Sequence, residues 1–140
     1  MAKTGELTSW RDRSYDLLSL IIILDQFPRN MFRNTAQAFA TDAQAVDLTK
    51  YALSNNYPQE LAVEQQIFLY MPLMHSENKA DQALSVELFR ALGKEDNLDF
   101  AIKHQAVIDR FGRFPHRNQI LGRESTQAEA EFLTQPGSSF

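Results

Sequence analysis

Hydrophobic positions along this chain cluster at helical spacing, and short polar, proline or glycine breaks separate the clusters. The first cluster runs from Trp10 to Leu24. There Leu17, Leu18, Leu20, Ile21, Ile22, Ile23 and Leu24 are apolar almost all round, as in a buried helix. Three consecutive isoleucines also suit a strand. No turn residue separates them from Trp10, however, and no partner strand follows, so a helix is expected. Asp25 ends the run. An acid at a helix C-terminus opposes the macrodipole, so Asp25 requires a partner, with Arg29 or a later arginine at hand. Pro28 is expected to open a new turn.

Thr41 or Asp42 caps the second helix, in which Ala45, Val46, Leu48, Ala52 and Leu53 share helical spacing before Asn55-Asn56-Tyr57-Pro58 stops it. A third helix runs from Glu60 or Leu61 to Met74. Its eight-residue apolar run Ile67–Met74 is read as core, with Pro72 kinking or ending it. A fourth covers Glu77 to Leu92 with Leu84, Leu88, Phe89 and Leu92 inward, and Gly93 as C-cap. Asn97 caps a fifth, Leu98 to Phe111. Its stripes are Leu98, Ala101, Ile102 and Ile108, and beside them Phe100, His104, Val107 and Phe111. Ser125 or Thr126 caps a last short helix through Leu133, with Glu129 as capping-box partner. No hairpin dipeptide or βαβ rhythm appears. The fold class is all-α: five to six helices in stacked antiparallel hairpins forming one domain.

A length of 140 residues suits a single domain, and a net charge of −4 makes nucleic-acid binding by bulk charge an unfavoured reading. The chain has no cysteine, which excludes disulfides, thiolate metal sites and a cysteine nucleophile. The run Leu17–Leu24 is well short of the roughly 18 apolar residues that suggest a membrane span. A soluble cytoplasmic protein is expected.

Charge is unevenly placed. From Arg110 to Arg123 there is no acidic residue, and the stretch carries Arg110, Arg113, Arg117 and Arg123 with His116 past Phe111 and Phe114. Arginine forks suit carboxylate or phosphate, and the turn begun at Pro115 adds backbone donors. The same arginines could instead pair with the chain's own acids, among them Asp25, Glu77, Asp109 and Glu124. Both readings stay open. Phe27-Pro28-Arg29-Asn30 echoes Phe114-Pro115-His116-Arg117-Asn118. Two such corners either face each other or are separate solutions to one kind of turn.

His75, Glu77, His104 and Asp25 are the candidates for acid–base chemistry. A His75–Glu77 pair, or Asp25 at the end of a buried helix, could transfer protons. Equally, Asp25 could be a structural acid held by an arginine, and His104 a satisfied core histidine. His-x-Glu spacing is weak evidence for a metal, and neither metal nor cofactor is expected. No phosphate loop, dinucleotide fingerprint, nucleophile elbow or EF-hand loop is present.

Several motifs follow one another along the chain: Leu24-Asp25-Gln26-Phe27-Pro28-Arg29-Asn30, Ala38-Phe39-Ala40-Thr41-Asp42, Phe68-Leu69-Tyr70-Met71-Pro72 with His75-Ser76-Glu77, and Arg110–Asn118 with Leu121-Gly122-Arg123 and Ser125-Thr126. Together they resemble the bacterial domain-of-unknown-function family 924, over nearly the whole chain from Gly5 to Phe140. The resemblance implies a helical, tetratricopeptide-like fold and no particular activity. It also implies an N-terminal segment ahead of Trp10 that this chain largely lacks, which would leave apolar surface for a partner.

Three functions follow as expectations. The first is a binding module in which Arg29, Asn30, Arg110, Arg113, Arg117, Asn118 and Arg123 hold an anionic small molecule or acidic peptide. The second is a hydrolase or lyase using His75, Glu77, Asp25 or His104. The third is a structural domain acting through protein contacts or self-association.

Overall fold

The computed structural model describes residues 13–140. Among these are seven α-helices and no strand: α1 (Ser14–Met31), α2 (Asp42–Ser54), α3 (Val63–Met74), α4 (Lys79–Leu92), α5 (Glu95–Phe111), α6 (Asn118–Leu121) and α7 (Gln127–Leu133). Single 3₁₀ turns occupy Ala36–Phe39, Tyr57–Glu60 and Pro115–Arg117. The all-helical expectation holds, but seven helices replace five to six. The extra one is α6, a single turn that the Pro115 turn launches and Gly122 stops in the left-handed region at φ 68°.

Successive helices pack on one another: α1 on α2 and α3, α3 on α4, and α4 on α5. The main core joins Leu17 and Ile21 of α1 with Ala52, Leu69, Tyr70, Phe89 and Ala101. A separate apolar cluster of Val107, Ile108 and Phe114, flanked by Phe111 and Phe132, ties the C-terminal turns to the end of α5.

Local rules misplace several features. Residues 10–12 of the expected first helix lie outside the described residues. At its other end α1 does not stop at Asp25 but runs through Pro28 to Met31. A proline inside a helix cannot donate to the carbonyl four residues back. Here Leu24 O is satisfied instead by the buried Thr41 hydroxyl at 2.5 Å. That long-range bond lets the helix continue.

Asn97 does not cap α5, which begins at Glu95 after an extended Lys94. Glu95 and Asp96 occupy the first turn, where the macrodipole favours acids. Phe68 is 44% exposed, so the apolar run of α3 is not wholly core. On α5, Phe100 and Ile102 are exposed, because the buried positions are Ala101, His104, Val107 and Ile108.

The buried face of α4 is Asp81, Gln82, Ser85, Val86 and Phe89; Leu84, Leu88 and Leu92 are only half-buried. The polar members are there to bond. Gln82 donates to Met74 O at 2.7 Å and Ser76 O at 2.6 Å, which satisfies carbonyls at the end of α3. Asp81 accepts from Ser76 Oγ at 2.7 Å and pairs with Lys50 at 2.8 Å. The α3–α4 corner, which carries His75 and Glu77, is therefore fixed from below.

Candidate functional site

Two polar clusters lie on either side of the His75–Glu77 corner. The first is built on Asp25, which is 1% exposed. Its carboxylate accepts from His75 Nδ1 at 3.0 and 3.1 Å, from Arg29 at 2.9 Å and from Gln26 at 2.8 Å. Burial would raise its pKa, but the charge and hydrogen bond of His75, with Arg29 and Gln26, outweigh that and hold it below the usual value. Asp25 is therefore an anion, and because a carboxylate can only accept, His75 Nδ1 carries the hydrogen between them. His75 Nε2 has no hydrogen-bond partner among the described residues.

Arg29 spans two carboxylates. Besides Asp25 it grips Asp42 of α2 in a bidentate pair at 3.0 and 2.9 Å. Arg117 approaches the same Asp42 at 3.8 Å and donates to His75 O at 2.8 Å. Its guanidinium lies between Phe39 at 4.4 Å and Phe114 at 4.7 Å, and Arg29 lies over Phe39 at 5.7 Å. Burial lowers the Arg117 pKa to about 10, so it stays charged at neutral pH. Its Nε is buried without an acceptor.

The second cluster closes the other side. Glu77 receives Arg123 in a bidentate pair at 2.9 and 3.1 Å and the Phe114 N–H at 2.6 Å. These contacts hold its pKa below the usual value despite burial. Arg123 also bonds Asn118, which is buried and donates to Ser125 at 3.1 Å. Arg113 forms a bidentate pair with Glu129 at 2.8 and 2.7 Å and donates to Glu124 O at 2.7 Å. The Arg113 hydrogen bond is the main reason that the Glu129 pKa falls to about 2. Glu129 is also the capping-box partner of Thr126, as the sequence indicates. Arg110 lies outside, its guanidinium 4.6 Å from the Phe111 ring.

Between α1, the Ala36–Phe39 turn, His75, α5 and the Pro115 turn is a cavity of about 500 Å³. His75, His104 and His116 line it with Phe39, Phe114 and Ile120; Arg29 and Arg117 reach its wall. Asn30, Arg33 and Asn34 line it as well, and all three are exposed. Arg33 makes no ion pair among the described residues, so it is a free cation at this rim.

His104 Nδ1–H donates to Phe100 O at 2.6 Å, and its ring stacks on Phe140 at 3.8 Å. Burial lowers the pKa of His104 and of His116 to about 4, so both are neutral at pH 7. His116 Nδ1 is buried and unpartnered. Among the described residues no group of three or more His, Asp and Glu is placed to hold a metal ion.

The candidate residues thus divide. Asp25, His75, His104, Arg29, Asn30 and Arg117 meet at or beside one cavity. Glu77, Arg113, Asn118 and Arg123 form a separate bonded cluster, and Arg110 joins neither. The carboxylate that His75 meets is Asp25, not Glu77. Phe39, Asp42 and Arg33 were missed by the sequence reading. The Phe-Pro echo named neither Phe39 nor Asp42; only the structure shows that its two arginines, Arg29 and Arg117, converge on both.

Fold and site together define an all-helical protein with an open, histidine-lined cavity beside its two Phe-Pro corners. No helix among the described residues is long and apolar enough to cross a membrane. A family model described as "Bacterial protein of unknown function (DUF924)" matches residues 1–137, and the chain belongs to this family. A solved structure of a protein of unknown function from Agrobacterium tumefaciens is similar at 39% identity with a TM-score of 0.90, covering 94% of this chain and 74% of that one. No curated protein matches.

Proposed function

We propose that this domain binds a small molecule bearing one anionic group in the cavity beside His75. One observation carries the reading. The cavity is lined both by His75, whose Nε2 has no hydrogen-bond partner among the described residues, and by Arg33, which has no ion pair among them. Small-molecule sites commonly combine apolar walls with a few converging polar groups. Here Phe39, Phe114 and Ile120 supply the walls. The imidazole edges offer hydrogen bonds, those of His104 and His116 without charge, and Arg33 offers the charge.

Two of the arginines at this site are not free to do the same work. Asp25 and Asp42 offset Arg29 and Arg117, which leaves the interior close to neutral. One negative charge at the Arg33 rim suits this balance better than a doubly charged phosphate.

The test is calorimetry and thermal unfolding with benzoate, phenyl phosphate and inorganic phosphate. Benzoate should bind and raise the melting temperature. Arg33→Gln should weaken benzoate binding about tenfold, and it should leave the unliganded melting temperature unchanged because Arg33 supports no ion pair among the described residues. Absence of binding by all three anions would remove the proposal.

A further inference from the structure

We propose that His75 is a general base in this cavity, activating water against the acyl carbonyl of a small anionic ester, with Asp25 as its positioning residue. The inference rests on the reading that the cavity takes an anionic small molecule.

Three histidines line the cavity, and only His75 has the arrangement that a base requires. A buried carboxylate fixes the proton on Nδ1 and leaves Nε2 to accept. The same carboxylate stabilises the imidazolium once Nε2 has taken a proton. His104 has only a backbone carbonyl behind it, and the Phe140 ring covers its face. His116 Nδ1 has no hydrogen-bond partner among the described residues.

The nucleophile in this arrangement is water. Cysteine is absent from the chain. The Ser76 hydroxyl, next to His75 in sequence, is committed to Asp81 at 2.7 Å, and the Ser139 hydroxyl, which also lines the cavity, makes no hydrogen bond to His75. The substrate class follows from charge. A neutral carbonyl fits an interior whose arginines are already offset by Asp25 and Asp42, and Arg33 is left to hold a remote carboxylate.

In the reaction His75 Nε2 removes a proton from water as the water oxygen bonds to the carbonyl carbon. The tetrahedral adduct then collapses with cleavage of the ester C–O bond. The departing oxygen takes the proton from Nε2, giving a carboxylic acid and an alcohol while Asp25 remains ionised.

The experiment compares mono-4-nitrophenyl glutarate, which carries a carboxylate, with neutral 4-nitrophenyl acetate, reading nitrophenolate release from pH 5 to 9. Saturable turnover of the glutarate ester is expected. His75→Asn keeps an N–H donor for Asp25 but lacks the distal nitrogen, so kcat should fall about 100-fold or more. Should that variant fail to fold, His75→Gln carries the same test.

Asp25→Asn should reduce kcat and move the acidic limb of the pH profile to lower pH, because removal of the anion weakens the base. The other groups around the imidazole are Arg29 of α1, Arg117 and His116 of the Pro115 turn, His104 of α5 and, through the arginines, Asp42 of α2. All of them are unchanged in that variant. Arg33→Gln should raise KM for the glutarate ester and leave that for the acetate ester alone. Benzoate binding without His75-dependent turnover would overturn the base and leave the cavity reading intact. Turnover by wild type that survives His75→Asn would overturn it as well.

Discussion

The two Phe-Pro corners carry nearly the same residues and are used in opposite ways. In Phe27-Pro28-Arg29-Asn30 the proline lies inside α1 and Phe27 is 49% exposed. In Phe114-Pro115-His116-Arg117-Asn118 the proline opens a 3₁₀ turn and Phe114 is fully buried. Yet both arginines reach Asp42, and both lie over Phe39. A short motif therefore fixes where an arginine is presented, and the surroundings decide which neighbouring side chain becomes core. The corners do face each other, with Asp42 between them.

The largest effect should separate the two phenylalanines. Phe114→Ala is expected to cost about 3–5 kcal/mol in urea unfolding, the range for emptying a buried aromatic site. Phe27→Ala should stay within about 0.5 kcal/mol, as for an exposed position. Equal costs would mean that the corners are energetically alike.

Next is the shared acid. Asp42→Asn should cost about 3 kcal/mol by stripping both arginines of their common carboxylate. Arg29→Gln and Arg117→Gln should then be non-additive with it in a double-mutant cycle. Additive costs would show that the corners are not coupled through Asp42.

The proline within α1 gives a smaller test. Thr41→Val should cost about 1–3 kcal/mol by leaving Leu24 O unsatisfied. In a Pro28→Ala background the new N–H can serve that carbonyl, and the cost of Thr41→Val should shrink. An unchanged cost would mean that Thr41 supports something other than the proline gap.

The mildest contrast is in pH. Only the second corner contains a histidine. The folded pKa values of His104 and His116 are lowered to about 4, while an unfolded histidine titrates near about 6.5. Between these values the unfolded chain binds more protons, so their contribution is complete above about pH 6.5 and is lost as pH falls toward 4. Asp25, Glu77 and Glu129, all lowered, continue the loss below that. His116→Asn should flatten the melting temperature between pH 6.5 and 4, and leave the steeper fall below pH 4. An unaltered profile would place the sensitivity in His104 alone.

Much of the frame was legible because local physics determines it. Gly93 and Gly112 end their helices in the left-handed region, where a side chain is strained, and Thr126 with Glu129 closes a capping box. Arg29 was at hand as a partner for Asp25, but the one-turn register that joins them exists because α1 continues through Pro28, which the distant Thr41 permits.

The sequence by itself therefore determined the all-helical class, most of the helix boundaries, the family and the residues with chemistry to offer. Tertiary structure alone decided their company. His75 met Asp25 across 50 residues rather than Glu77 two positions away. Arg113 closed on Glu129, Thr41 rescued Pro28, and the inner face of α4 proved polar. Each of these depends on satisfying a buried donor, acceptor or charge from a distant segment. Burying such a group alone costs kilocalories, and no local pattern shows which distant group will be in reach.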